Sequence, residues 1–104
     1  MAFELEVPHP LSPEDARARL RALGEYLGSK YGLSLTWTGE DEARVTGSYL
    51  VVSIDGTIRL SPGRVQFSGK DPGMLWRGKA RDYLTAKLAR YLDPKNAVAD
   101  LPRG

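Results

Sequence analysis

The segment from residue 33 to residue 68 alternates apolar and polar side chains with a period of two, without an intervening helical pattern. A period of two is typical of strands that bury one face of a sheet. The clearest of these strands places Leu33, Leu35 and Trp37 on one side. Because the strands follow one another without helices between them, the pattern predicts an antiparallel sheet in an α+β fold.

Turn-forming residues divide this segment into strands. Asp55-Gly56 lies between two apolar alternations and predicts a hairpin turn. Residues 61–63 predict a second turn. Residues 43–53 form either one long strand with a bulge near Gly47 or two short strands. A separate N-terminal strand is predicted by the alternation of Phe3, Leu5 and Val7 with glutamates.

Two amphipathic helices flank the strand segment. Ser12 predicts the N-cap of the first helix and Pro13 its first residue, with an end near Ser29 or Lys30. Its predicted buried face is Ala16, Leu20, Leu23, Leu27 and Tyr31. Three arginines are expected to point away from that face: Arg17, Arg19 and Arg21.

The second helix is predicted between Pro72 and Leu92, with Asp71 as its cap. The leucines expected to contact the core are Leu75, Leu84, Leu88 and Leu92. Ala80 is expected to permit close approach of the helix to its neighbours.

The predicted fold is therefore α+β: an antiparallel sheet of four to five strands with two helices packed on one face, in the order β-α-β-β-β(-β)-α. Residues 1–104 are expected to form a single domain with a core at about 3–93 and a loose C-terminal tail at 94–104.

Composition excludes several kinds of site. The chain has no cysteine and one histidine, which excludes thiolate chemistry and a multi-histidine metal centre within one chain. We find no catalytic constellation, so we expect no enzymatic activity, and we expect no cofactor and no metal. A net charge of +2 is too small to indicate nucleic-acid binding. No apolar run approaches the about 20 residues that span a bilayer, so no transmembrane segment is expected.

The single histidine, His9, stands between two prolines. It is either a general base or the residue that holds the corner between the first strand and the first helix by a hydrogen bond. The structural interpretation is favoured, because no nucleophile accompanies the histidine in a recognisable motif.

Positive charge is concentrated near the second helix. Residues 70–104 carry eight of the 15 basic residues but four of the 13 acidic ones. The candidate binding residues there are Trp76, Arg77, Lys79, Arg81 and Tyr83. A basic helix with aromatic side chains binds an anionic surface or a partner groove, or is simply a solvated face.

Several short motifs, in order and spacing, resemble the polyhydroxyalkanoic acid system family of small bacterial proteins. They are His9, Leu11-Ser12, Ala16-Arg17, Lys30-Tyr31-Gly32, Trp37-Thr38-Gly39, Asp55-Gly56-Thr57-Ile58, Val65 and the helix at residues 75–92. The resemblance covers about residues 3–93; residues 43–53 are longer than the family pattern, and residues 70–74 are particular to this chain. It implies a cytoplasmic bacterial protein with a role at polyester storage granules or in their regulation, and it implies no established activity.

Three functions compete. The first is a non-enzymatic accessory protein that binds the polyhydroxyalkanoate granule, its coat proteins or the synthase. The second is a small adaptor that forms a homodimer through a sheet edge or face. The third is a small-ligand pocket between helices and sheet, for which the polar candidates are His9, Trp37, Tyr49 and Tyr83.

Overall fold

The computed structural model describes residues 2–49 and 52–103. Its elements, in chain order, are β1 (Ala2–Pro8), α1 (Pro13–Tyr31), β2 (Ser34–Trp37), β3 (Glu42–Tyr49), β4 (Val52–Ser61), β5 (Arg64–Lys70), α2 (Met74–Tyr91) and a short 3₁₀ turn (Val98–Asp100). The five strands form one antiparallel sheet, and with the two helices this confirms the predicted α+β fold.

The strand order across the sheet is β1-β5-β4-β3-β2. The N-terminal strand therefore lies at an edge, where Leu5 pairs with Phe67 and Val7 with Val65. These side chains lie on the buried face together with Val45, Ile58 and Leu60. The opposite face is polar and carries the ion pairs Arg44–Asp55, Arg59–Glu42 and Arg64–Glu6.

Helix α1 begins as its sequence predicts. The Ser12 hydroxyl accepts a hydrogen bond from the Asp15 backbone N–H at 3.2 Å, and Pro13 is the first helical residue. The helix continues to Tyr31 and ends at Gly32, whose φ of 71° suits a residue without a side chain. The end is thus one or two residues later than predicted.

The predicted hairpin turn at Asp55-Gly56 is wrong. Both residues lie inside β4, and Gly56 pairs with Val45 on one side and Gly69 on the other. A Cβ atom at Gly56 would stand 2.5 Å from Cζ of Phe67, so this glycine makes room for an aromatic ring rather than a turn. Residues 43–53 contribute to two strands, β3 and β4, while residues 50 and 51 within that segment lie outside the described residues.

Arg19 does not point away from the core as predicted. It is buried, and its guanidinium donates to the Asp15 carboxylate at 2.8 Å. The same group donates to the backbone carbonyls of Tyr91 at 3.1 Å and Asp93 at 2.8 Å. The arginine therefore joins the start of α1 to the end of α2, with hydrogen bonds that offset its burial.

The predicted loose tail is also wrong for the described part of residues 94–104. Leu101 is only 5% exposed and belongs to the core. The Tyr91 hydroxyl donates to the Pro102 carbonyl, and Arg103 forms an ion pair with Glu25. A buried leucine in a Pro- and Gly-rich segment has no periodic neighbours, so the sequence pattern does not reveal it.

The start of α2 differs from the prediction in two respects. Asp71 does not cap the helix: its carboxylate accepts from the Gly73 backbone N–H at 2.8 Å and pairs with Arg77 at 2.6 Å, while the helix begins at Met74. Leu75, a predicted core residue, is 86% exposed. Leu88 and Leu92 are buried as predicted, and Leu84 is half-buried.

Candidate functional site

A cavity of about 280 Å³ lies between the sheet and the two helices at one end of the molecule. We call this the open end; it contains the start of β1 and β4, the end of β3 and β5, the last turns of α1 and the first half of α2. The other end, with His9, Leu20 and Tyr91, we call the packed end. The most exposed lining residues, among them Tyr49, Lys70 and Lys79, place the mouth of the cavity at the surface of the open end.

The inner wall of the cavity is apolar. Its buried lining side chains come from both helices and four strands: Phe3, Leu23, Leu27, Val45, Ile58, Phe67 and Leu88. Gly56 and Gly69 pair directly between β4 and β5, and the Phe67 ring of the cavity wall lies over Gly56.

The first half of α2 forms the outer wall. Trp76, Ala80, Tyr83 and Leu84 all line the cavity, and each is only half-buried. Their spacing of four, three and one residues gives them one face of a helix. The short side chain of Ala80 at the centre of this stripe leaves the cavity unfilled.

Three tyrosines stand edge to face along the open end. The ring centroids of Tyr31 and Tyr49 are 4.7 Å apart, and those of Tyr31 and Tyr83 are 5.8 Å apart. The Tyr83 hydroxyl is buried and has no hydrogen-bond partner among residues 2–49 and 52–103. Burial raises the pKa of this hydroxyl above its ordinary value, and the neighbouring Tyr31 adds to the effect. Tyr83 is therefore neutral, and its hydroxyl is enclosed by neighbouring side chains while its ring lines the cavity.

A lysine pair lies beside this tyrosine cluster. Lys30 donates to the Tyr26 hydroxyl at 2.9 Å, and the Lys87 ammonium lies 4.6 Å from the centre of the Tyr26 ring. The hydrogen bond from Lys30 lowers the pKa of Tyr26 and raises that of the lysine. The ammonium groups of Lys30 and Lys87 lie against aromatic rings at the surface, so these two side chains do not occupy the cavity.

The structure places the candidate residues of α2 around the open end. Trp76 and Tyr83 line the cavity, and Lys79 lies with its ammonium 5.7 Å from the centre of the Trp76 ring. Arg77 is paired with Asp71, whose carboxyl pKa is lowered mainly by that guanidinium. Arg81 packs its guanidinium 5.1 Å from the centre of the Phe3 ring at the sheet edge.

His9 lies at the packed end, apart from the other candidates. It is 8% exposed, its Nδ1 accepts from the Leu11 backbone N–H at 3.1 Å, and its own backbone N–H donates to the Gly63 carbonyl at 2.9 Å. Burial lowers the pKa of the imidazole. These contacts match the interpretation of His9 as a corner residue, and they separate it from the cavity.

Of the four polar candidates for a pocket, Tyr49 and Tyr83 line the cavity. His9 does not, and Trp37 lies under the guanidinium of Arg21 at 5.6 Å. Sequence reasoning missed Lys70 as a lining residue and the exposure of Met74, which is 83% exposed beside Leu75. The signal for the latter was available: both apolar residues precede the regular helical stripe that starts at Trp76.

Two kinds of feature do not occur in the described residues. No group of three or more histidine or carboxylate side chains is placed to hold a metal ion in residues 2–49 and 52–103. Within the same ranges, no helix has the length and apolarity needed to cross a membrane.

The fold and the cavity define an α+β protein whose five-stranded sheet carries two helices on one face and an apolar cavity at one end. A family model described as "Putative polyhydroxyalkanoic acid system protein" matches residues 3–95. The chain belongs to this family. Comparisons with curated proteins and with solved structures give no match.

Proposed function

We propose that this protein is a non-enzymatic accessory protein of bacterial polyhydroxyalkanoate storage, which attaches to the granule surface through its open end. The observation that carries the proposal is the exposure of Met74 and Leu75, at 83% and 86%, at the start of α2. Family membership supplies the storage context. Such a protein would act in the bacterial cytoplasm, at storage granules.

The geometry of α2 supports attachment without unfolding. Its last turns are anchored in the core by Leu88 and Tyr91, so the helix can present its first turn while the fold stays intact. Exposed cationic side chains of Arg77, Lys79 and Arg81 flank the two apolar residues. Apolar side chains beside basic ones suit an apolar surface that carries anionic groups.

The test is binding of the purified protein to washed granules over a salt series, with and without the native coat proteins. Wild-type binding to bare polymer is expected to resist salt, because salt does not screen apolar contacts. The double variant Met74→Ser, Leu75→Ser is expected to lose this binding, because it removes the apolar side chains that make the contact. If salt weakens binding, the contact is made by charged groups. If binding needs the coat proteins, the contact is made with a protein partner such as the synthase.

A second set of variants separates charge from apolar contact. Changing Arg77, Lys79 and Arg81 to glutamine is expected to weaken the salt-sensitive part of binding, and Trp76→Ala, as a separate variant, is expected to weaken the apolar part. The matched control also removes three positive charges, but from the polar face of the sheet: it changes Arg44, Arg59 and Arg64 to glutamine. If both apolar and charge variants of α2 bind granules like the wild type, the proposal is wrong.

Self-association is the second candidate, since the same exposed pair, Met74 and Leu75, offers an apolar contact between copies. Sedimentation of the wild type and of the double serine variant tests it. A wild type that is monomeric at high micromolar concentration rules this candidate out.

A further inference from the structure

The cavity at the open end has the size and chemistry of a site for one medium-length alkyl chain. Its volume of about 280 Å³ is roughly twice that of an apolar cavity that holds a single benzene molecule. The buried part of its wall consists of aliphatic and aromatic side chains. A chain about the length of decanoate therefore suits the space, and a bulky or strongly polar ligand does not.

Charge at the mouth indicates which end of such a chain faces solvent. The charged lining residues are Asp55, Lys70 and Lys79. The Asp55 carboxylate is already paired with Arg44 on the polar face of the sheet. The two lysines have no carboxylate within ion-pair distance in residues 2–49 and 52–103. The mouth is thus net positive and favours an anionic head group.

We infer that the cavity binds a medium-chain monocarboxylate, with its alkyl chain against the apolar wall and its carboxylate at Lys70 and Lys79. This site uses the interior of the open end rather than the exposed side chains of Met74 and Leu75, and it shares only Trp76 and Lys79 with the proposed granule contact.

The test titrates decanoate, below its micelle-forming concentration, into the labelled protein while backbone amide NMR signals are recorded. Saturable one-to-one shifts are expected at lining residues such as Leu27, Phe67 and Ala80, with little change at Leu20 in the packed end. Absence of saturable shifts at the lining residues overturns the inference.

Filling the cavity provides the first variant. Ala80→Phe places a ring in the space and is expected to weaken decanoate binding by about ten-fold or more. The matched control is Ala86→Phe, on an exposed position of the same helix that does not line the cavity. Equal affinity of Ala80→Phe and the wild type contradicts the proposed location.

A second pair of measurements remains decisive if Ala80→Phe does not fold. The double variant Lys70→Gln, Lys79→Gln removes two exposed charges and leaves the wall intact. It is expected to weaken decanoate several-fold at low salt and to leave 1-decanol unchanged, because only the carboxylate meets the lysines. An equal loss for both compounds, or a loss for neither, refutes the role of the lysines. A protein that binds granules but not decanoate refutes this inference and leaves the proposed function standing.

Discussion

The two ends of the molecule are built from the same sheet and helices but differ in how tightly they are filled. At the packed end, Leu20 is 1% exposed and Tyr91 is fully buried. At the open end, the half-buried side chains of Trp76 and Leu84 border a cavity of about 280 Å³. The contrast runs along α2 itself, whose C-terminal turns serve stability while its N-terminal turns remain available for contact.

The difference shows that core formation in a chain of this size can be concentrated at one end. Interiors are normally packed to the density of organic crystals, and an unfilled apolar space reduces stability. The Arg19 hydrogen bonds to Tyr91 and Asp93, together with the buried Leu101, fasten the packed end. The open end can therefore tolerate a cavity and exposed apolar residues without loss of the fold.

Truncating one leucine at each end gives the largest expected difference. Leu20→Ala should lower the free energy of unfolding by about 2–5 kcal/mol, because it leaves a void in close-packed surroundings. Leu84→Ala should lower it by about 1 kcal/mol or less, because that side chain is half-buried beside existing empty space. Urea unfolding measures both; equal losses would show that the open end is as tightly packed as the other.

Arg19 provides the next test, with Arg17 as its control. Arg19→Met should cost about 2–4 kcal/mol, because it leaves the carboxylate of Asp15 and two backbone carbonyls without their buried donor. Arg17→Met should cost less, about 1 kcal/mol, because its partners, the Asp41 carboxylate and the Glu40 carbonyl, can bind water once the guanidinium is lost. Thermal unfolding compares the melting temperatures of the two variants. Similar melting temperatures would show that the Arg19 hydrogen bonds do not stabilise the packed end.

Replacing one glycine in each helix by alanine is expected to change stability by smaller amounts and in opposite directions. Gly78→Ala in α2 should raise stability by about 0.5–1 kcal/mol, because the new methyl group meets nothing within 4 Å and alanine favours the helix. Gly24→Ala in α1 should be destabilising, because its Cβ would stand 2.5 Å from Cδ2 of Leu35. A loss on Gly78→Ala in urea unfolding would indicate that α2 packs closely at that position.

The pH dependence of stability is the smallest expected effect and reports on the packed end. Because burial lowers the pKa of His9 in the fold, the unfolded chain binds the proton first as the pH falls below about 6.5. Stability from this residue is present above that pH and is lost as the pH falls through the folded-state value. His9→Asn keeps an acceptor for the Leu11 N–H and should remove that component.

The measurement is the free energy of unfolding of the wild type and of His9→Asn at several pH values between 7 and 5. A variant that keeps the full wild-type slope in this window would show that other groups cause it.

Local pattern predicted most of the fold. The alternation in β1, β2 and β5, the Ser12 cap and the leucine spacing of α1 all depend on neighbours within a few residues, and the structure confirms each. The Asp55-Gly56 hairpin failed for the opposite reason. Gly56 makes room for the ring of Phe67 in the neighbouring strand instead of forming a turn. The local sequence around Gly56 does not specify that neighbour.

The site was less predictable than the fold. Trp76 and Tyr83 were predicted as binding residues because they are aromatic side chains on a basic helix, and both line the cavity. The cavity itself and the place of Lys70 in its lining arise from strand register and helix placement. Arg19 illustrates the same limit, because its burial follows from carbonyls more than 70 residues away.

The pairing of β1 with β5 has a consequence for synthesis of the chain. Strand β1 leaves the ribosome well before its partner residues 64–70. Until then, Phe3, Leu5 and Val7 have no sheet on which to bury their side chains, although β2, β3 and β4 can already pair with one another. The nascent chain therefore carries an unpaired apolar strand until β5 is synthesised, and closure of the sheet by this distant pairing is expected to be its slow folding step.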